Sequence, residues 1–161
     1  MAKKEEKTNV LRILDKAKID YIIHKYDTED GEIDGVSVAN KCNEDPRFVY
    51  KTLVTRANTK DYYVFVIPVE KKLDVKKAAK AASVKSIQMI AQKELLPLTG
   101  YIHGGCSPID MKRFFPTFVD ISAKENERIY ISAGKVGIQV ELKREDFERI
   151  LLFTYSDITM E

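Results

Sequence analysis

Residues 49–67 read VYKTLVTRANTKDYYVFVI, two runs of β-forming residues on either side of a polar turn. The runs 49–55 and 62–67 are predicted to pair as strands, and residues 128–132 and 138–142 form a second candidate hairpin. Further strands are predicted at 21–26, 86–89, 101–103 and 118–122, with helical segments at 8–18, 37–43, 74–82, 91–95, 110–115 and 145–153. Thr8 and Asp74 are the predicted N-caps of the first and third of these helices. Because strands do not alternate regularly with helices, we expect an α+β fold on a mixed sheet.

The composition fits one compact domain. The chain has 161 residues, is 44% hydrophobic and 32% charged, and has a formal net charge of +2, so residues 1–161 are predicted to form one domain with its own core. This near-neutral charge does not by itself indicate a nucleic-acid-binding protein. Two cysteines are too few for a disulfide framework and indicate a reducing compartment. Residues 1–7 are unlike a signal peptide and no run approaches the roughly 20 apolar residues of a membrane span, so we expect a cytoplasmic protein without membrane contact.

The summed charge conceals two segments of opposite sign. Residues 27–34 carry five acidic and no basic side chains, whereas residues 71–93 carry seven lysines and one aspartate. A helix is predicted in the basic segment, and Lys76, Lys77 and Lys80 on it are candidates for contact with phosphates, although a solvated basic face is the commoner use of such a helix. The acidic segment fits a lid, a guard that repels stray phosphates, or an exposed connection.

Lys51 is the lysine that stands out. Period-2 alternation places it beside Val49 and Leu53, while Tyr50 and Val54 occupy the other face, so both faces of the strand are largely apolar. A lysine there either extends its ammonium into water or serves a pocket. In a pocket it supplies a fixed cation for a phosphate, a carboxylate or a developing oxyanion.

Residues 99–108 form a glycine-rich segment, TGYIHGGCSP. Gly104 and Gly105 let a loop turn sharply and expose N–H groups that can bind an anion, or they simply make a structural turn. Cys106 is a candidate nucleophile with His103 nearby, although a buried thiol is the commoner role. Gly134 and its neighbours form either a second wall of such a site or a hairpin bulge. The spacing of the metal-ligating residue types predicts no metal site, and serine-hydrolase and nucleotide-binding motifs are absent from the sequence.

In their order along the chain, these motifs resemble those of the YbaK/EbsC-type aminoacyl-tRNA deacylases, most closely the free-standing Cys-tRNA(Pro) deacylases. The similarity covers residues 8–158 and is carried by Tyr26, VYKTL at 49–53, TGY at 99–101, GGCSP at 104–108 and SAGKVGIQVE at 132–141. The resemblance implies a mixed, barrel-like β-sheet with flanking α-helices and a pocket for the acylated 3′ end of tRNA. It implies that Lys51 is the essential catalytic lysine. The residues it places around the pocket are Tyr26, Thr52, Tyr101, Gly104, Gly105, Ser132 and Gly134.

The reaction that this resemblance implies is trans-editing, a hydrolysis of the ester bond of mischarged Cys-tRNA(Pro) that needs no cofactor. The substrate's own thiol attacks its carbonyl, so the protein has to position the substrate rather than supply a nucleophile. Two alternatives stay open: an Ala-tRNA(Pro) deacylase in which a bound water attacks, and a non-catalytic module that binds tRNA or a synthetase. The implied partners are the aminoacylated 3′ end of tRNA and, as a further candidate, prolyl-tRNA synthetase. In combination with this resemblance, Lys76, Lys77 and Lys80 become candidates for contact with tRNA.

Overall fold

The computed structural model describes residues 7–161, and the charged residues 1–6 lie outside the described part. The helices and strands of that part are α1 (Asn9–Lys16), β1 (Tyr21–Lys25), α2 (Gly35–Lys41), β2 (Tyr50–Ala57), β3 (Tyr62–Pro68), α3 (Val75–Ala82), β4 (Ile87–Met89), α4 (Leu95–Thr99), β5 (Thr117–Asp120), β6 (Arg128–Lys135), β7 (Ile138–Lys143), α5 (Arg144–Ile150) and β8 (Thr154–Ser156). Short 3₁₀ turns span Gln92–Glu94 and Ile121–Glu125. The predicted α+β class is confirmed.

Capping side chains explain where the main helices begin. Thr8 caps α1 and Asp74 caps α3, each by accepting hydrogen bonds from N–H groups of the following turn, as the sequence predicts. α2 begins two residues before its predicted start, because Asp34 accepts from the N–H of Ser37 and fixes the first turn.

Three local predictions are wrong. Residues 101–103 form a loop rather than a strand, closed by a hydrogen bond from the N–H of Gly105 to the carbonyl of Ile102 at 3.0 Å. Residues 110–115 form no helix, and the first of them, Asp110, has a φ of +61°. The helix predicted to end before Pro97 instead runs through it as α4, because the first turn of a helix tolerates proline.

The strands form two open sheets, so the barrel-like sheet implied by the resemblance is not supported. The orders are β1-β7-β6 and β4-β2-β3-β5-β8. The five-stranded sheet is mixed, as predicted, because β5 pairs in parallel with both β3 and β8. Within the described residues a lone bridge between Val49 and Tyr130 joins the sheets. Beyond this bridge the two sheets separate, because from Thr55 onward β2 pairs on that edge with β4 rather than with β6.

This topology leaves a gap beside the first half of β2. On one edge β3 pairs with β2 from Tyr50 to Arg56, whereas on the other edge β4 pairs only with Thr55 to Ala57. Residues 50–53 therefore have no strand partner on that second edge within residues 7–161. The alternation predicted for Lys51 is confirmed, since Tyr50 and Val54 lie in one apolar cluster and Leu53 packs against another.

The core lies on both faces of the five-stranded sheet. Val64 and Val66 face a large cluster that includes Leu14 of α1 and Phe147 of α5, and Phe65 faces a smaller one under α3. Burial of both faces explains the unbroken apolar run of β3. No helix among residues 7–161 is long and apolar enough to cross a membrane.

Candidate active site

A cavity of about 300 Å³ opens at the gap beside β2, a volume at the lower end of the range for small-molecule sites. Four separate segments meet there: the end of the acidic segment, the start of β2, the glycine loop after α4, and the strands β6 and β7. Its lining includes Ile33, Asp34, Lys51, Thr52, Leu53, His103, Gly104, Cys106, Ser132 and Gln139.

Lys51 is the one lysine or arginine that lines this cavity within the described chain. Burial lowers the pKa of its ammonium below the ordinary lysine value, and the charge of Lys72 lowers the pKa further. No carboxylate of residues 7–161 forms an ion pair with Lys51. A partly desolvated cation without a partner interacts strongly with an anion that enters, because little water or counter-charge screens it.

The sulfur that lines the cavity belongs to a protonated thiol. Burial raises the pKa of Cys106 to about 12, far from the range in which a thiolate attacks. The hydroxyl of Ser132 accepts a hydrogen bond from the N–H of Gly134 at 3.1 Å, and no basic side chain of the described residues bonds to it. The role of Cys106 as a nucleophile is therefore not supported, and the described lining holds no activated nucleophile.

Gln139 brings an unsatisfied acceptor to the cavity. Its Oε1 is buried and makes no hydrogen bond within the described residues. Burying an acceptor without a hydrogen bond costs about 1–3 kcal/mol of stability. A donor on a bound ligand would remove this cost by bonding to Oε1. The sequence prediction missed this residue, although a glutamine that interrupts the apolar residues of β7 is a signal for it.

The acidic segment is folded around Lys41, which the sequence prediction also missed. The Nζ of Lys41 donates to the carbonyl of Asp27 at 2.7 Å, to Oδ1 of Asp30 at 2.7 Å and to the carbonyl of Glu32 at 2.9 Å. One lysine side chain thus binds three points of a segment whose own charged side chains are all acidic. These bonds give the segment a defined shape, although all of its residues except Ile33 are exposed.

The far end of the acidic segment forms a wall of the cavity. A Cβ added to Gly104, whose φ is +87°, would lie 2.7 Å from Cδ1 of Ile33, so the segment and the glycine loop are in close contact. Asp34 lines the cavity and is also tied to α2, since its carboxylate accepts from both the N–H and the hydroxyl of Ser37. These bonds lower the pKa of Asp34 and keep it ionised.

A second concavity, a cleft of about 540 Å³, lies on the other side of the glycine loop. Tyr101 and Gly134 line this cleft rather than the cavity. The hydroxyl of Tyr101 donates to the carbonyl of Ile109 at 2.5 Å, and a Cβ on Gly134 would lie 3.1 Å from the Tyr101 ring. Gly105 lies against the hairpin backbone, where a Cβ would be 2.9 Å from the nitrogen of Val136.

The predicted pocket residues thus separate into groups. Lys51, Thr52, Gly104 and Ser132 line the cavity, whereas Tyr101 and Gly134 line the neighbouring cleft. Gly105 and Tyr26 are in neither lining. Burial raises the pKa of the Tyr26 hydroxyl, which lies near the Gln139 side chain and the backbone of Gly137 without a well-formed hydrogen bond to either.

The three lysines predicted to contact tRNA lie on α3 and do not line the cavity. Lys77 is already engaged, since its Nζ lies 3.2 Å from Oδ1 of Asp157 and donates to the carbonyl of Thr159 at 2.9 Å. Lys76 and Lys80 border a shallow depression between α3 and β4. No group of three or more potential metal-ligating side chains is present in residues 7–161.

Comparison with known proteins identifies the family. Residues 34–150 match the aminoacyl-tRNA editing domain. The chain belongs to the aminoacyl-tRNA editing domain family. A relative from Enterococcus faecalis named "Putative Cys-tRNA(Pro)/Cys-tRNA(Cys) deacylase EbsC" is 38% identical over 161 residues, covering 99% of this chain and 98% of its own length. The family resemblance carried by the motifs is confirmed.

Two solved structures share the editing-domain fold. One, described as "a putative trans-editing enzyme for prolyl tRNA synthetase", has a TM-score of 0.80 at 14% identity and covers 97% of this chain and 100% of its own. Another, described as a "hypothetical protein", has a TM-score of 0.85 at 18% identity and covers 95% and 100%. The editing-domain match includes β2, the glycine loop and the β6–β7 hairpin, so it spans nearly all of the cavity lining.

Proposed function

We propose that residues 1–161 form one trans-editing aminoacyl-tRNA deacylase that removes cysteine from mischarged Cys-tRNA(Pro). Membership of the editing-domain family and the name of the Enterococcus relative support the class and the substrate. The observation that carries the mechanism is the chemistry of the cavity, which combines an unpaired cation, Lys51, with a thiol whose pKa is too high for attack. Such a site suits a substrate that brings its own nucleophile.

In the proposed reaction the sulfur of the cysteinyl group attacks its own ester carbonyl carbon. A carbon–sulfur bond forms, the bond from that carbon to the ribose oxygen breaks, and the thiol proton ends on the ribose oxygen. The products are tRNA with a free terminal hydroxyl and a cyclic cysteine thiolactone. Water then opens the thiolactone to cysteine, so the net reaction is a hydrolysis. Holding sulfur and carbonyl in line is the main task of the protein.

Three groups of the cavity are assigned to this task. Lys51 stabilises the negative charge that develops on the carbonyl oxygen or the charge of the terminal phosphate. The N–H of Gly104 donates no hydrogen bond within residues 7–161, whereas that of Gly105 is used by the turn, so Gly104 is the candidate oxyanion donor. Oε1 of Gln139 accepts from the substrate's ammonium, while Thr52 and Ser132 complete the walls.

The proposed partners follow from the substrate. The aminoacylated 3′ end of tRNA enters the cavity, and prolyl-tRNA synthetase, the source of mischarged tRNA(Pro), is a candidate partner. The description of one similar structure as a trans-editing enzyme for that synthetase supports this assignment. We place the reaction in the cytoplasm, where tRNA is charged.

The test is a deacylation assay with purified protein and no synthetase, using Cys-tRNA(Pro), Ala-tRNA(Pro) and Ser-tRNA(Pro) in parallel. We expect multiple turnovers on the cysteinyl substrate and at least about a hundredfold slower cleavage of the seryl one, since a hydroxyl is a much poorer internal nucleophile than a thiol. Preferential cleavage of Ala-tRNA(Pro) would establish attack by water instead. Binding of tRNA without turnover on any substrate would identify a non-catalytic module.

A further inference from the structure

The cleft beside the cavity is basic, and its charges are available. The charged residues that line it are Lys7, Arg12, Lys112, Lys135 and Asp110. Lys7 is paired with Asp15 at 2.5 Å, but the other three cations form no ion pair within the described residues. The first turn of α1, the positive end of that helix dipole, lines the same cleft. The cavity has no such excess of positive charge, because the positive charge of Lys51 in its lining is balanced by the negative charge of Asp34.

Cleft and cavity share a wall. Along the glycine loop, residues 99–101 line the cleft and His103, Gly104 and Cys106 line the cavity. Along the hairpin, Ser132 faces the cavity, while Gly134 and Lys135 face the cleft. The glycine loop and the hairpin are in close contact. A polynucleotide that leaves the cavity across this wall therefore enters the cleft directly.

Two surfaces that border the cavity carry opposite charge. One is the acidic segment, residues 27–34, which carries five carboxylates, and of these Asp30 is paired with Lys41. The other is the cleft across the shared wall, with its unpaired cations. A phosphate backbone is repelled by the first and attracted by the second.

We propose that this cleft binds the phosphodiester backbone of the single-stranded 3′ end of tRNA, with Lys112 and Lys135 as the principal phosphate-binding side chains. The proposal rests on the proposed function, because it assumes that the acylated terminal nucleotide occupies the adjoining cavity. Lys112 is fixed in the cleft by the hydrogen bond from its N–H to the carbonyl of Thr99 at 2.9 Å. Lys135 extends from the tip of the hairpin and is exposed. The surface differs from α3, where the sequence predicts the tRNA contact.

The test compares charge reversals with equal change in net charge. Binding of uncharged tRNA(Pro) is measured over a range of salt for wild type, Lys112→Glu/Lys135→Glu, Lys76→Glu/Lys80→Glu on α3, and the control Lys16→Glu/Lys143→Glu, whose exposed residues line neither the cavity, the cleft nor the depression beside α3. Thermal melting verifies that each variant is folded, and Lys112→Gln/Lys135→Gln serves as a milder second version.

We expect the cleft reversal to weaken binding about tenfold or more at low salt. It should also make the salt dependence shallower, by about 0.7 in the slope of log K against log salt for each phosphate of a single strand that the variant no longer neutralises. The control should bind within about twofold of wild type. The proposal is overturned if the cleft variants bind like wild type, or if the α3 or control pair weakens binding as much as the cleft pair.

The wild-type deacylation assay, run in parallel, separates this proposal from the proposed function. If wild type cleaves Cys-tRNA(Pro) and the cleft variants bind tRNA normally, the cleft assignment fails and the deacylase stands. If wild type cleaves no charged tRNA but the cleft pair alone loses affinity, the cleft assignment stands and the deacylase fails.

Discussion

Replacing Lys51 by methionine should lower deacylation of Cys-tRNA(Pro) about 10²- to 10³-fold, the usual cost of removing one group that stabilises an oxyanion. Methionine keeps most of the apolar stem of the Lys51 side chain and removes its charge. No other lysine or arginine of the described residues lines the cavity, so no neighbour can take over. The loss should appear in single-turnover rates, which exclude effects on product release.

The same substitution should leave the free energy of unfolding unchanged or raise it. Folding lowers the pKa of Lys51 below its ordinary value of 10.5, so the unfolded chain holds this proton more tightly than the folded one. The charge therefore opposes folding at all pH values below the folded pKa, and that penalty disappears only as the pH rises past 10.5. Activity lost while stability is kept is typical of a residue that serves function rather than structure.

The assay follows radiolabelled Cys-tRNA(Pro) with and without protein, and urea titration at pH 7 gives the stability. A pH profile adds a second readout, because the rate should fall on the alkaline side as Lys51 loses its proton below the ordinary lysine pKa. The reasoning is refuted if Lys51→Met deacylates within about threefold of wild type. It is also refuted if the variant loses activity only in proportion to a loss of folded protein.

Lys72→Gln should shift the alkaline limb of the rate profile to higher pH, because the charge of Lys72 lowers the pKa of Lys51; an unchanged limb would mean that the two ammonium groups do not interact. Cys106→Ala should deacylate within about threefold of wild type, since burial raises the pKa of this thiol to about 12, and a hundredfold loss in single-turnover rate would restore Cys106 as a nucleophile. Gly105→Ala should lower the free energy of unfolding by about 1–3 kcal/mol, because its Cβ would lie 2.9 Å from a backbone nitrogen of the hairpin; wild-type stability in urea would show that the loop and hairpin separate freely. Tyr26→Phe should be as stable as wild type or more so, because it removes a buried hydroxyl that makes no well-formed hydrogen bond, and a large loss of deacylation would place that hydroxyl at the substrate.

The sequence pattern was sufficient to predict the strands that follow from alternation and the helix starts that follow from capping residues. The alternation around Lys51 indicated which face of β2 carries it, and the Thr8 and Asp74 caps located the starts of α1 and α3. The glycine loop was harder, because Tyr101 to His103 consists of residues with strand or neutral preference. Its turn is closed by the hydrogen bond from Gly105 to Ile102, which propensity does not reveal.

The site itself depends on strand pairing, which the sequence does not encode locally. The family resemblance grouped Lys51, Ser132, Tyr101 and Gly134 into one pocket, but the hairpin and glycine loop that carry the last three form a wall with two sides. Which side a residue faces follows from the positive φ of Gly134 and the packing of Gly105 on the hairpin. Neither is visible from residue types alone.

The distribution of charge shows why segment sums mislead. The most basic segment contains Lys77, which an ion pair with Asp157 already occupies, and Lys41 gathers the most acidic segment into an ordered wall. The cations that stay unpaired in the cleft, Lys112 and Lys135 among them, come from parts of the chain with no marked charge bias. Folding thus engages part of the charge that is clustered in sequence and brings together a basic surface from charge that is dispersed. Reversing the dispersed lysines should therefore affect tRNA binding more than reversing the clustered ones.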